Sequence, residues 1–208
     1  MRLLQSIISA VIVAVLAPTF AAGDDVVSSS AAASSDSSGH QYDTPATKDS
    51  TIMRSTVSCP NCPNFNCYEC TLGHNDTLVA NTGGLAFIQA LIGFKMPVKG
   101  SSVASCYIQI PAFTTPLQYP VTVQAFTAAS SDWDEDTVTA NNAPAAGTLV
   151  NSVEVPAFNN LGPFDITAAC QTAAKNGKFS VYLGAQFGHF EFWSKDSGNP
   201  AILHITTN

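Results

Sequence analysis

From Thr71 to the carboxyl end, apolar positions come in short runs rich in Val, Ile, Thr, Phe and Tyr, broken by Gly, Pro and Asn. Such runs predict strands over Thr77–Ala80, Leu85–Phe94, Val103–Ile110, Val121–Thr127, Thr148–Val155, Phe164–Thr167, Phe179–Gly184, Phe190–Ser194 and Ile202–Thr206. Alternation is clear in several of them. Cys106, Ile108 and Ile110 share one face, Val121, Val123 and Ala125 a second, and Phe179, Val181 and Leu183 a third. Each apolar face must meet another sheet, so the expected fold is all-β, an antiparallel β-sandwich of jelly-roll type over residues 71–208. One helical turn is expected after Asp165, at Ala168–Ala174, with Asn176 and Gly177 to end it.

The pattern is different upstream. Residues 1–23 hold Arg2, an apolar stretch from Leu3 to Ala17, Pro18 and the small residues Ala21, Ala22 and Gly23, the layout of a cleaved signal peptide. The stretch falls short of the about 20 continuous apolar residues that span a bilayer. The protein is therefore expected outside the cell, secreted or wall-associated, with no membrane contact after cleavage. Residues 24–58 contain 10 Ser and 4 Thr in 35 positions and read as a disordered linker with too little apolar surface to offset backbone ordering. Asn75-Asp76-Thr77 is an N-glycosylation acceptor sequence, which makes a glycoprotein the expectation at Asn75.

Six cysteines follow the signal: Cys59, Cys62, Cys67, Cys70, Cys106 and Cys170. An even number in an oxidising compartment points to three disulfides. The first four crowd into residues 59–70 and staple one another, either Cys59 to Cys70 with Cys62 to Cys67 or in the crossed pattern, which leaves Cys106 for Cys170. The four-residue spacer between the two C-x-x-C pairs is shorter than zinc-ribbon spacing, so no metal is expected there.

Several phrases in order resemble the DNRLRE domain, also catalogued as the family 96 carbohydrate-binding module. They are Asp76-Thr77-Leu78 with Leu91-Ile92-Gly93-Phe94 and Pro97, then Ala104–Ile110, Trp133-Asp134-Glu135 through Thr139 with Asn142-Ala143-Pro144, Phe164-Asp165-Ile166-Thr167, and Phe192-Trp193-Ser194-Lys195-Asp196 with Pro200-Ala201-Ile202-Leu203. Ala140 stands where that family often has a second tryptophan, and the Cys-rich preface lies outside its pattern. The resemblance covers about residues 71–207. It implies a non-catalytic jelly-roll module of extracellular proteins that in some members binds an acidic polysaccharide such as alginate. An anionic polymer calls for clustered basic side chains, and this domain offers only Lys95, Lys99, Lys175, Lys178 and Lys195.

Charge narrows the partners further. The formal charge is −7, with 8 Lys and Arg against 15 Asp and Glu and no basic cluster, which argues against nucleic acid. Asp132, Asp134 and Asp136 alternate like the start of a calcium loop, but Thr137 and Ala143 replace the Gly and Glu an EF-hand needs. No G-x-S-x-G or H-E-x-x-H occurs, His40, His74, His189 and His204 are isolated, and no cofactor is called for, so an enzyme is not expected. Sugar binding needs flat rings beside hydrogen-bonding side chains. If Phe190 and Phe192 point inward, Glu191 and Trp193 point out, as do Tyr182 beside Val181 and Leu183, and Tyr107 and Gln109 beside Cys106, Ile108 and Ile110. These five are the candidate polysaccharide-binding residues. The alternative is a structural surface protein, a disulfide-stapled spacer without a small ligand.

Overall fold

The computed structural model describes residues 39–173 and 177–208, so the signal peptide and most of the linker expected from sequence lie outside the described residues. The described chain is all-β apart from short helical turns and one five-residue helix. Ten strands run in the order β1 Gln41–Ser55, β2 Thr77–Gly83, β3 Ala86–Lys95, β4 Val103–Gln109, β5 Val121–Ala128, β6 Ala146–Val155, β7 Phe164–Asp165, β8 Lys178–Ala185, β9 Gly188–Trp193 and β10 Ile202–Thr207. The helix, α1, spans Thr167–Gln171 between β7 and β8. Every strand pairing is antiparallel, along the path β6-β5-β8-β3-β1-β10-β4-β7, with β2 pairing β3 and β9. The sheet is nearly closed, in a barrel-like shape.

All nine strands expected from periodicity are present, and their apolar faces meet in one core. Cys106, Ile108, Val121, Val123, Ala125, Phe179, Val181, Leu183, Leu203 and Ile205 are buried together with Phe190 and Phe192. Burying side chains of this size contributes about 1.5–3 kcal/mol each.

The tenth strand is a correction. Residues 41–55, read from sequence as part of a flexible linker, form the longest strand and the centre of the sheet. Residues 41–45 pair with β10 and residues 46–55 with β3. The register shifts between Ala46 and Lys48, just after Pro45, which has no N–H to give a ladder and so is tolerated beside a bulge. The linker reading failed because this strand buries polar residues: Asp49, Ser50, Thr51 and Ser55 are all buried, and Ile52 is its one large aliphatic side chain in a core cluster. Composition cannot reveal a strand whose partners supply the apolar surface.

A second, smaller cluster lies on the outer face of the sheet. Ile52, Leu91 and Tyr182 are covered by Val138 and flanked by Phe126, Trp133, Ala140 and Ala143. Residues 129–145 thus lie over β1, β3, β5 and β8 as a lid of irregular chain. Lys48, Gly93 and Ser180 form one cross-strand row beneath Trp133. Trp133 donates its indole N–H to Ser180 Oγ at 3.0 Å, and Lys48 Nζ stands 4.1 Å over its ring. Glycine fits at position 93 because a Cβ there would lie 2.7 Å from Lys48 Cγ and 3.2 Å from Trp133 Cζ2.

Three disulfides join Cys59 to Cys67, Cys62 to Cys70 and Cys106 to Cys170. The first two take the crossed pattern. The third links β4 to α1 across a sequence separation of 64 residues. Both of its cysteines are fully buried. A cross-link closing a loop of this length should stabilise the fold by about 4 kcal/mol through the unfolded ensemble. The Cys106→Ala/Cys170→Ala double variant is expected to lose about 2–5 kcal/mol in urea unfolding followed by tryptophan fluorescence; a loss under about 1 kcal/mol would show that the link constrains little.

Candidate functional site

After β4 the chain runs beside β9. Phe113 bridges Phe192, and Thr114 donates its N–H to the Glu191 carbonyl at 2.9 Å. The next residues, Thr115–Val121, form one wall of an open cleft of about 400 Å³, and Phe187–Glu191, from the turn between β8 and β9 into β9, form the other. Gln186 and Phe187 make the turn that carries the chain from β8 to β9, and Gly188 closes it with φ +83°, a left-handed conformation that favours glycine. The floor is rigid. Phe190 is buried, its ring 5.5 Å from Phe113 and 6.0 Å from Phe192 between centroids.

Among the described residues the three most exposed large apolar side chains, Tyr119 (79%), Phe187 (74%) and Phe158 (72%), gather at this end. Tyr119 and Phe187 line the cleft. Phe158 adjoins it, donating its N–H to the Leu117 carbonyl at 3.0 Å. Phe158 also holds φ at +63°, an arrangement that costs a bulky residue about 1–3 kcal/mol. Gln118, His189 and Glu191 add hydrogen-bonding groups to the lining. Alternation continues the same outer face along β9 from His189 through Glu191 to Trp193, a track about 13 Å long.

The five residues selected from sequence divide into three places. Glu191 and Trp193 stand on this track, Trp193 partly exposed. Tyr107 and Gln109 lie on a different ladder, on β4 beside His204 of β10. There His204 contacts Asp43 Oδ1 through Nδ1 at 2.6 Å and Gln109 Oε1 through Nε2 at 3.1 Å. Tyr182 does face outward, but it is fully buried under residues 133–144 and donates its hydroxyl to the Pro144 carbonyl. No surface is left on it for a ligand. The residues that sequence reasoning passed over, Tyr119, Phe158 and Phe187, lie in turns and loops. Their signal is a large ring where turn geometry ordinarily selects Gly, Asn or Pro: Tyr119 between Pro116 and Pro120, Phe187 before Gly188.

The far end of β9 is fixed by polar bonds. Ser194 donates its N–H to Asp76 and its hydroxyl to the Asn75 carbonyl, which places the exposed acceptor asparagine next to the track. Lys195 Nζ lies 3.0 Å from Glu135 Oε2 and 3.0 Å from Asp196 Oδ1. Asp49 accepts the Lys195 backbone N–H at 2.8 Å, and Glu135 Oε1 accepts the Asp49 N–H at 2.6 Å. His74, Glu135 and Asp196 carry metal-ligand atoms within 4.8 Å of one another, but the Lys195 ammonium already stands between the two carboxylates as the cation. The acidic run 132–136 does not converge: Asp132 pairs with Lys178, Asp134 accepts the Asp136 N–H, and Asp136 bonds His74.

His204 is held by Asp43 and Gln109, and His74 by Asp136. A β-scaffold that presents rings and hydrogen-bonding groups at one open cleft has the layout of a binding module. Residues 71–207 match carbohydrate-binding module family 96, and the chain belongs to that family. It is also 57% identical over 165 residues to an uncharacterized secreted protein of Arthroderma benhamiae, an alignment covering 79% of this chain and 85% of the relative.

Burial pushes the Asp49 carboxyl up to about 6, against the lowering effect of the Lys195 N–H. The bond to Asp136 raises the His74 imidazole. Both shifts act in the same direction. Folded Asp49 keeps its proton to about pH 6, whereas an unfolded aspartate releases it near 3.9, so the folded state binds more protons in between and stability falls as pH rises through that window. For His74 the stabilisation is present in acid and fades as pH rises through its raised value. Denaturation midpoints should therefore be higher at about pH 5 than at about pH 7, and Asp49→Asn should flatten the slope between about pH 4 and 6. An unchanged slope would remove Asp49 as its source.

Proposed function

We propose that this chain is a secreted, non-catalytic carbohydrate-binding protein that grips a wall or matrix polysaccharide along β9 and in the cleft at its mouth. The observation that carries the reading is the convergence of Tyr119 and Phe187, the two most exposed rings described, on one cleft whose lining also holds His189 and Glu191. The C–H face of a pyranose stacks on such rings while neighbouring side chains bond its hydroxyls. Trp193 extends the stacking surface along the same strand face. Membership of family 96 supports saccharide recognition, and the secreted relative supports export. The ordering of the core faces is compatible with a jelly-roll arrangement. A glycan on Asn75 would stand at the Trp193 end of the track, where it would bound the ligand rather than cover the cleft.

Binding of this kind rests on preformed shape. Phe190 and Phe192 hold β9 against the core from beneath, so the outward side chains need little ordering when a ligand arrives.

The test is retention on a panel of insoluble and soluble glycans. Tyr119→Ala, Phe187→Ala and Trp193→Ala should each weaken binding by about 3- to 10-fold, the effect of losing one stacked ring at about 0.5–1.5 kcal/mol. Tyr107→Ala, on the other ladder, should leave it unchanged. Absence of retention on every glycan would return the protein to the ligand-free spacer reading.

A further inference from the structure

The charges around the cleft narrow the class of saccharide. Among the residues lining it, Glu191 is the single carboxylate and His189 the single basic side chain, with no Lys or Arg. The bonds made at Glu191 involve its backbone: its carbonyl accepts from Thr114, and among the described residues no donor engages its carboxylate. That carboxylate is half-buried and stands in the same cleft as the Tyr119 and Phe187 rings. A free carboxylate beside exposed π-faces is the chemistry that recognises a cation. The ammonium pairs with the carboxylate, and the rings attract its charge through their quadrupole, each such contact contributing about 0.5–1 kcal/mol at an exposed site. The wider field agrees, because a chain of formal charge −7 attracts polycations and repels polyanions.

We propose that the polymer held at this cleft is a cationic amino-sugar glycan, one whose sugar rings carry free ammonium groups, with Glu191 as the residue that selects it. This rests on the saccharide-binding reading above and adds the ligand class to the same site. Anionic polymers are disfavoured at the cleft, since nothing lining it carries a fixed positive charge to receive a carboxylate or sulfate. Neutral polymers keep the stacking but lose the ion pair. Selectivity therefore lies in one side chain, while general affinity lies in the rings.

The experiment is calorimetric titration of the full secreted chain with three hexamers: β-1,4-linked glucosamine, the same hexamer fully N-acetylated, and β-1,4-linked glucose. At about pH 6 the glucosamine hexamer should bind about tenfold more tightly than either neutral one. Glu191→Gln should erase that preference, bringing the glucosamine hexamer to the affinity of the neutral ones. Glu154→Gln, a carboxylate of exposed β6, should preserve the preference. In about 1 M salt, where screening acts within about 3 Å, the preference should shrink. Equal or weaker binding of the glucosamine hexamer overturns the proposal while leaving the saccharide-binding reading intact. Equal losses from Glu154→Gln and Glu191→Gln also overturn it, because the attraction would then be diffuse. If no hexamer binds, both the proposal and the reading beneath it fall.

Discussion

The contact on which the rest of the molecule depends is the ionic knot made by Lys195 with Glu135 and Asp196, closed on its inner side by Asp49. It joins three segments distant in sequence: the middle of β1, the lid over the outer sheet face, and the chain leaving β9. Burial works to lower the Lys195 ammonium's pKa, yet its bonds to Asp196 and Glu135 outweigh that effect and leave it raised. Removing one member would leave the others partly desolvated without a partner, and such losses are far more damaging than the net contribution of the pair suggests. If the knot opened, the lid would have no anchor at Glu135. Ile52, Leu91 and Tyr182 would face water, and β9 would lose the fixed end that keeps Trp193 in line with the cleft.

This arrangement explains what the family phrases encode. Trp133 and Glu135 of the W-x-E phrase hold the lid, Trp133 on Ser180 and Glu135 on Lys195. Ser194, Lys195 and Asp196 tie the end of β9 to residues 75–76 and to the knot. Asp165 accepts the Thr167 N–H at 2.8 Å, and Thr167 in turn accepts the Cys106 N–H, so the F-D-I-T phrase turns the chain from β7 into α1. The recognisable residues are joints of the scaffold. Apart from Trp193, whose ring lies on the outer face of β9, they identify the family through the scaffold.

The legibility of the sequence follows the same division. Nine strands were readable because β2, β5, β9 and β10 bury alternate side chains, so that a period of two survives in the residue order, while β3 and β8 are continuous apolar runs buried on both faces. β1 was not, because its buried positions are polar: Asp49 Oδ2 accepts the Lys195 N–H, and Thr51 Oγ1 accepts the Val79 N–H. Alternation correctly assigned Tyr182 to the outer face, but it could not show that residues 133–144 fold back over that face. Outward-pointing and exposed are separate properties, and only the second follows from long-range packing. Glu191 and Trp193 were legible from strand period alone. Tyr119 and Phe187 required knowing that two turns far apart in the chain approach each other.

The placement of the cleft has a physical logic. The lid closes the outer face of β1, β3, β5 and β8, and His204, Gln109 and Asp43 spend their polar groups on one another on the opposite ladder. The 115–121 loop and the β8–β9 turn have neither constraint. Loops tolerate side-chain change that a packed strand does not, so the rings at Tyr119, Phe158 and Phe187 can change while the core beneath stays fixed. Phe113, Phe190 and Phe192 supply that fixed base, and their close ring contacts mean the walls cannot settle independently of the core. The rims of the cleft can therefore change side chains without disturbing the aromatic floor that fixes its shape.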